Sequence, residues 1–369
     1  MDFLLTITEQ SVLNNALAAA PAIAARAAAA DRKMRFPVED LPDLLRANLM
    51  ALAVPQSHGG RGASTMAYVN ACEIIAAADA SLAVAWVMHT ACGWEIAHSA
   101  IPDTAKVVIE DVLQNGAFIC IAGAEGRLPD GSRAPMQCRQ DGTDWILDGQ
   151  KGFASGSDAA KYVVTGGADH DGARHSFVVR MDNPGLSISD RWDGMGMCAS
   201  ASHGLAFTNC RVADSWRLTG DYRSGDFRNT SALFGLGLAA TALGITRAAL
   251  EFALPWCAKR QLSEANKVRL GDISVRTAAL RSLIWRAAWE TDRDPTGCEP
   301  WVDRAKTLAV ETAQEVTIET MRVCGGHSFR RKYPLERHAR DAAALLLQGQ
   351  RPDQLRAAVA DSLLRGVEA

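Results

Sequence analysis

The chain has 369 residues, of which 48% are apolar and 22% charged, a composition typical of a globular protein and incompatible with a wholly disordered one. Its formal net charge is −3, from 39 lysines and arginines against 42 aspartates and glutamates, which argues against nucleic acid as a partner. It has nine cysteines without a CxxC pair, no apolar run of about 18 residues and no basic leader. These features argue against a metal site, a membrane span and a signal peptide, and they favour a reducing, cytoplasmic location.

The first stretch, residues 1–115, is rich in alanine and leucine and nearly free of strand-forming residues. Leucines recur at helical spacing over residues 40–53, and a second apolar helix is predicted over residues 79–98, with Asp79 or Ser81 near its start. We therefore predict an N-terminal helical domain.

The second stretch, residues 116–225, contains many glycines and short alternating segments. Asp148-Gly149 and Asp171-Gly172 are typical of hairpin turns. Because no crossover helices separate the segments, we expect an antiparallel barrel or sandwich. The predicted strands are 118–122, 145–147, 162–165, 176–180, 186–189 and 205–207.

The third stretch, residues 226–369, is helical again and predicts a C-terminal four-helix bundle. The order of helices, strands and helices gives an α+β fold rather than a Rossmann fold, and no GxxxxGK[ST] loop occurs. The predicted helices are 231–259, 267–292, 300–324 and 335–347.

Several short motifs follow one another along the chain. They are Phe36-Pro37, 49–55 with Gly59-Gly60, 148–156, 196–212, Cys324-Gly325-Gly326, 333–337 and Arg340-Asp341. In this order, and at this length, they resemble the acyl-CoA dehydrogenase superfamily of flavin-dependent oxidoreductases. The resemblance implies the same three domains, 1–115, 116–225 and 226–369, and a flavin cofactor, either FAD or FMN.

The resemblance also assigns the cofactor-binding residues. Phe153, Ala154 and Ser155 offer an aromatic edge, backbone groups and one hydroxyl to the flavin ring, although a plain strand ending in a Ser-Gly turn is the simpler interpretation. Gly325-Gly326 can present backbone N–H groups to a phosphate, or can simply end a helix. Arg260 stands where the family has an arginine followed by Phe-Gly, but Gln261 and Leu262 replace that pair.

Both positions that carry the catalytic base in this family differ here. Most members have a glutamate before a glycine shortly after the Arg-Asp pair, whereas this chain has Gln348 before Gly349. A minority have the glutamate in the first bundle helix, where the best match is Phe234. A glutamine cannot accept the α-proton of an acyl thioester.

These departures point to the superfamily's two-component flavin monooxygenases, which the chain resembles at 78–86, 153–156 and 333–337. His89 and Ser155 occupy the positions at which that branch places an imidazole or a hydroxyl near the flavin N5 and the peroxide. Gln348 stands where such enzymes often have a histidine. His89 also lies among apolar residues, so a hydrogen-bonded core histidine is the alternative.

Three functions remain open from the sequence. The first is monooxygenase-type oxidation of a small organic substrate with reduced flavin and O2, with His89, Ser155 and Gln348 as catalytic candidates and a flavin reductase as partner. The second is an acyl-CoA dehydrogenase with a displaced base, and the third is a non-catalytic subunit of this fold. We expect a homodimer or homotetramer, with Gly325-Gly326 and Arg330-Arg331-Lys332 as candidate contacts.

Overall fold

The structure is a computed structural model that describes residues 5–126, 135–219 and 228–368. Its N-terminal part is helical, as predicted, and Thr6 begins the first helix with a capping box closed by Glu9. The helices are α1 (Ile7–Lys33), α2 (Leu41–Arg46), α3 (Thr65–Ala78), α4 (Ala80–Ser99) and α5 (Pro102–Asn115).

The helix predicted over residues 40–53 is wrong in its length. It ends at Arg46, because Asn48 takes a left-handed conformation with φ of 54° that a helix cannot continue. Leu49 and Leu52 are fully buried all the same. Their helical spacing therefore reflected burial in a loop rather than a longer helix.

The central part is a mixed sheet of nine strands in the described part of the chain. The strands are β1 (Phe118–Ala122), β2 (Ala124–Glu125), β3 (Gln137–Asp141), β4 (Asp144–Ala154), β5 (Ala160–Ala168), β6 (Arg174–Arg180), β7 (Leu186–Asp190), β8 (His203–Ala213) and β9 (Arg217–Leu218). Their order is β7-β8-β4-β3-β5-β6-β9, with β1 paired to β5 and β2 to β4.

Two details of the predicted sheet are corrected. The sheet is not wholly antiparallel, since β1 runs parallel to β5; the strands β2 to β4, rather than a helix, return the chain to the same direction. The β3–β4 hairpin turns at Gly142-Thr143, where Asp141 pairs with Asp144. At the predicted turn, Gly149 continues β4 through a register shift with φ of 144°.

The C-terminal part is helical, as predicted, but it contains five helices in the described residues. They are α6 (Arg228–Ala258), α7 (Glu264–Arg293), α8 (Glu299–Cys324), α9 (Leu335–Leu345) and α10 (Pro352–Glu368). Both α9 and α10, the latter not predicted, pack against α8. The domain boundary at residue 115 stays a prediction, and that at 225 lies outside the described residues.

One large apolar core joins the N-terminal helices to β1 and to α6. The Thr230–Ala258 part of α6 is apolar and long enough to cross a membrane, but 83% of its most apolar segment is buried inside the protein. Gly237 allows this packing, because a Cβ there would overlap Tyr68 and Val87 of α3 and α4. Helix α6 is thus the central helix of the molecule and holds one wall of the site described next.

Candidate functional site

The chain reverses sharply at the end of β4. Phe153 has a left-handed backbone with φ of 63°, and Gly156 has φ of 81°. Only glycine fits at 156, because a Cβ would lie 2.5 Å from the Phe118 ring. Phe153 is left 58% exposed, with its ring edge-on to Trp192 at 6.1 Å, while Ala154 is buried. The turn therefore presents an aromatic side chain to the surface.

A chain of three buried serine hydroxyls lies behind this turn. The Oγ atoms of Ser155 and Ser202 are 2.7 Å apart, and those of Ser202 and Ser200 are also 2.7 Å apart. Three hydroxyl protons serve these two hydrogen bonds, so one hydroxyl proton is left over to donate elsewhere. If that proton belongs to Ser155, the turn offers a hydrogen-bond donor beside an aromatic edge.

Helix α9 fixes the segment that carries Ser200 and Ser202. The Met197 N–H donates to the Asp341 carboxylate at 2.7 Å, and burial raises the pKa of Asp341 to about 7. Arg340 binds Asp31 of α1 and the carbonyl of Met195. The 195–202 segment is thereby held between the first and ninth helices.

His89 is 1% exposed and lies behind the same turn, stacked on Phe118 at 4.7 Å. Its Nε2 donates to the Met50 carbonyl at 2.7 Å, and its Nδ1 accepts from the Ile119 N–H at 3.0 Å. Burial lowers the pKa of His89 to about 4, so the ring is neutral at pH 7. This is the geometry of the core-histidine alternative, and a catalytic role stays a prediction.

The other predicted cofactor residues form a second, exposed group. The Arg260 guanidinium stacks on Trp256 at 4.1 Å, and the Trp256 indole donates to the carbonyl of Cys324 at 3.0 Å. Cys324 precedes Gly325 and Gly326, where a Cβ would meet nothing within 4 Å. Arg260 and the glycine pair are thus brought together, but no hydrogen bond, ion pair or ring contact among the described residues joins them to the β4 turn.

A cavity of about 540 Å³ lies between α4, α6 and α8. Gly349 forms part of its wall, and a Cβ there would lie 3.1 Å from the Phe234 ring and 2.9 Å from Lys306 Nζ. Of the two family base positions, Phe234 therefore lines this cavity, and Gln348 directly precedes Gly349 in its wall. Its described lining is Met88, Ala91, Cys92, Ile121, Thr230, Ser231, Ala232, Phe234, Gly235, Pro295, Thr296, Cys298, Glu299, Val302, Asp303, Lys306, Gly349, Gln350 and Leu355.

Gln348 is attached to this cavity through its backbone. Lys306 Nζ donates to the carbonyls of Gln348 at 3.0 Å and Gln350 at 2.9 Å. The Gln348 amide oxygen is buried without a hydrogen-bond partner in the part of the chain that the structure describes. Neither Ser155 nor His89 lines this cavity. The structure therefore does not bring the three predicted catalytic residues together around it.

Two functional candidates in the cavity were missed from the sequence. Asp303 lines it without a hydrogen bond to any described residue, and burial, with Glu299 nearby, raises the pKa of Asp303 to about 6. Thr230 is 6% exposed, and its hydroxyl has no partner among those residues either. Burial lowers the pKa of Lys306 to about 8. The spacing of Glu299, Asp303 and Lys306 on one helix was the available signal.

Comparisons with known proteins agree with this architecture. The model of the acyl-CoA dehydrogenase N-terminal domain matches residues 14–114, and that of the acyl-CoA dehydrogenase C-terminal domain matches residues 234–351. The chain belongs to the acyl-CoA dehydrogenase superfamily. Members of this superfamily are flavin-dependent oxidoreductases, so the protein is an enzyme of that class with a flavin cofactor.

Individual relatives fall into two kinds. Short-chain specific acyl-CoA dehydrogenase of cattle (Bos taurus) is 28% identical over 358 residues, 92% of this chain and 85% of that protein. Butyryl-CoA dehydrogenase from Megasphaera elsdenii has a TM-score of 0.90 at 22% identity, covering 99% of this chain and 100% of that one. Dibenzothiophene monooxygenase from Paenibacillus sp. A11-2 has a TM-score of 0.86 at 19% identity, covering 96% and 97%. At these identities the two solved structures show the fold alone.

The two groups of predicted cofactor residues fit a flavin. The β4 turn offers an exposed aromatic edge at Phe153 and a serine chain with one proton to donate. At Gly325 and Gly326 a Cβ would meet nothing within 4 Å, and the Arg260 guanidinium lies on Trp256, whose indole is bound to the carbonyl of the preceding Cys324. The Gly325 N–H ends α8 by donating to the Met321 carbonyl at 2.8 Å, which leaves the Gly326 N–H and the guanidinium as donors of the kind that phosphate binds.

Proposed function

We propose that the protein oxidises a small organic substrate in a monooxygenase-type reaction with reduced flavin and O2. One observation carries the proposal: Phe234, at one base position of the family, lines the 540 Å³ cavity, Gln348, at the other, directly precedes the wall residue Gly349, and neither can take up a proton. Removal of the α-proton from an acyl thioester therefore lacks its usual acceptor. Oxygenation of a substrate does not require one at that place.

In this proposal, Phe153, Ala154 and Ser155 hold the ring of the flavin, FAD or FMN, and Arg260, Gly325 and Gly326 bind its phosphate. When bound in its reduced form, the flavin supplies the two electrons that activate O2. Ser155 donates the spare proton of the serine chain to the ring edge, and the segment held by α9 keeps that hydroxyl in place. His89 orients Phe118, on which the turn rests. Apolar side chains of the cavity exclude water from the substrate.

Asp303 favours a second candidate function. It is a half-buried carboxylate with a raised pKa in the wall of the cavity, and such a group can act as a general base. The protein would then be an acyl-CoA dehydrogenase whose base has moved to α8. The curated relative from cattle is a dehydrogenase, which supports this alternative.

Two measurements on the purified protein separate the candidates. In the first, the protein is mixed with NADH, a flavin reductase, FMN or FAD, ¹⁸O2 and a panel of small amines, phenols and sulfides, and products are analysed for ¹⁸O. In the second, the flavin-loaded protein is mixed with butyryl-CoA without oxygen, and bleaching of the flavin absorbance is followed. Incorporation of ¹⁸O without bleaching supports the monooxygenase. Bleaching that Asp303→Asn abolishes would instead establish the dehydrogenase.

We also propose a cellular setting and an assembly. Nine cysteines, all within the described residues and all buried, remain free thiols, which suits the cytoplasm. A flavin reductase would deliver the reduced cofactor. A homodimer or homotetramer is proposed because the flavin ring and phosphate residues are separate groups in one chain, and a neighbouring subunit would bring the second group to the first.

A further inference from the structure

We propose that the 540 Å³ cavity takes a substrate with a positively charged amino group, which binds Asp303 with help from Glu299 and Thr230. The inference rests on the proposed function, because it concerns the substrate of the same site. It adds a substrate class to the proposed reaction, argued from the residues of this cavity.

Two carboxylates give the cavity a negative charge. Glu299 and Asp303 lie one turn apart on α8, and both line the cavity. Glu299 is exposed, whereas Asp303 is half-buried and without a hydrogen bond to any residue that the structure describes. A carboxylate withdrawn from water in this way gains more from a cation than an exposed one does. The pair therefore places negative charge both at the mouth and inside.

The only lysine or arginine in the described lining, Lys306, offsets that charge in part, because it is one cation near Asp303 against two carboxylates. Lys306 is 4% exposed and lies one turn beyond Asp303. Two of its three donor positions are already used, by the carbonyls of Gln348 and Gln350. Its role is to hold the turn between α9 and α10. An anionic substrate would find two carboxylates and a lysine that is already bound.

Thr230 gives an independent sign of a ligand. Its hydroxyl lies in the cavity wall, 94% of the residue being buried, and it has no partner among the described residues. A buried hydroxyl left without a hydrogen bond is destabilising, so such groups normally have a partner. An ammonium group carries three donors and can reach a hydroxyl oxygen and a carboxylate at once.

The test measures binding without turnover. Flavin-loaded protein with oxidised flavin is titrated at pH 7.5 by calorimetry with benzylamine, benzyl alcohol and benzoate, which share a ring and differ in charge. We expect benzylamine to bind at least about tenfold more tightly than benzyl alcohol, with benzoate weakest. Asp303→Asn should remove that preference. Asp361→Asn, the same change at an exposed position of α10, should keep it.

A second variant guards against misfolding of the first. Thr230→Val keeps the shape of the side chain and should weaken benzylamine about two- to tenfold, the usual effect of one hydrogen bond. Equal binding of amine and alcohol to the native protein, or tighter binding of benzoate, would overturn the inference. So would a preference that survives Asp303→Asn. If the protein prefers the amine but incorporates no ¹⁸O, only the proposed function is contradicted. If it incorporates ¹⁸O but does not prefer the amine, only this inference is contradicted.

Discussion

Gln348 is a neutral amide at a position where the family has a proton acceptor, and its oxygen is buried without a partner in the described chain. Gln348→Glu should give no flavin reduction by butyryl-CoA if the monooxygenase proposal is right. It should also lower substrate oxidation, because it buries a charge beside the cavity. Anaerobic bleaching and oxygen uptake measure the two effects.

The control is Gln354→Glu, the same change on exposed α10, which should alter neither rate. A dehydrogenase that lost its base would respond differently. A well-placed general base typically increases the rate of a reaction ~10²–10⁴-fold. Faster bleaching in Gln348→Glu by even a fraction of that factor would contradict the proposal.

Ser155→Ala tests the end of the serine chain. The variant removes the hydroxyl that would donate to the flavin edge and breaks the 2.7 Å contact with Ser202. We expect oxygen consumption to become uncoupled from substrate oxidation, with the ratio of product to oxygen falling several-fold. Ser187→Ala, on the exposed side of β7, is the matched control. Unchanged coupling in Ser155→Ala would remove Ser155 from the mechanism.

Glu95 carries a pH prediction. It is fully buried with both carboxylate oxygens unpartnered among the described residues, and burial raises its pKa from 4.5 to about 7. The folded protein therefore keeps a proton that the unfolded chain releases above pH 4.5, so stability falls as the pH rises toward 7. Glu95→Gln should raise the free energy of unfolding by roughly 1–3 kcal/mol at pH 8 and by little at pH 4. Urea denaturation at the two pH values measures this, and an equal gain at both would refute it.

Single residues differ in how well the sequence predicts them. Arg260, Gly325 and Gly326 could be grouped in advance because each belongs to a motif, although their role toward flavin stays a prediction. Asp303 and Thr230 could not, because helical spacing shows that a residue faces inward but not which cavity it meets. Only the approach of α4, α6 and α8 in space defines that cavity.

At the scale of elements, helix α9 supports the site by lying against the 195–202 segment. Gly196 permits this, since a Cβ there would overlap the carbonyl of Arg340. Gly196→Ala should therefore lower the free energy of unfolding by at least about 2 kcal/mol and weaken flavin binding. Gly271→Ala on α7, where a Cβ meets nothing, should stabilise by about 0.5–1 kcal/mol instead. Similar values for both variants would show that α9 does not fix the segment.

The elements themselves were mostly predictable, and the exceptions have physical causes. Helix α4 and strand β1 follow from capping and from apolar runs, and both were confirmed almost to the residue. The prediction of a turn at Asp148-Gly149 was wrong, because a glycine with positive φ is also found at a bulge inside a long strand. The parallel pairing of β1 with β5 was not predicted, because the chain crosses between them through strands rather than through a helix.

At the scale of the molecule, the order of helices, sheet and helices was predicted from composition, periodicity and turn signals, whereas the assembly of subunits is not visible in one chain. Phe329 is 73% exposed and ends the 3-10 turn that begins at Gly326. Arg330, Arg331 and Lys332, all exposed, follow it. An exposed aromatic beside uncovered backbone and basic side chains is typical of a contact surface.

We therefore expect the protein to sediment as a dimer or larger species at micromolar concentration. Phe329→Asp should weaken that association at least about tenfold, because a charge in a buried contact is costly to desolvate. Val107→Asp, on exposed α5, should leave it unchanged. If the residues that bind the flavin ring and those that bind its phosphate come from two subunits, Phe329→Asp must lower the affinity for flavin to the same extent as it dissociates the subunits. A native monomer, or a monomeric variant that binds flavin normally, would show that one chain completes the site by itself.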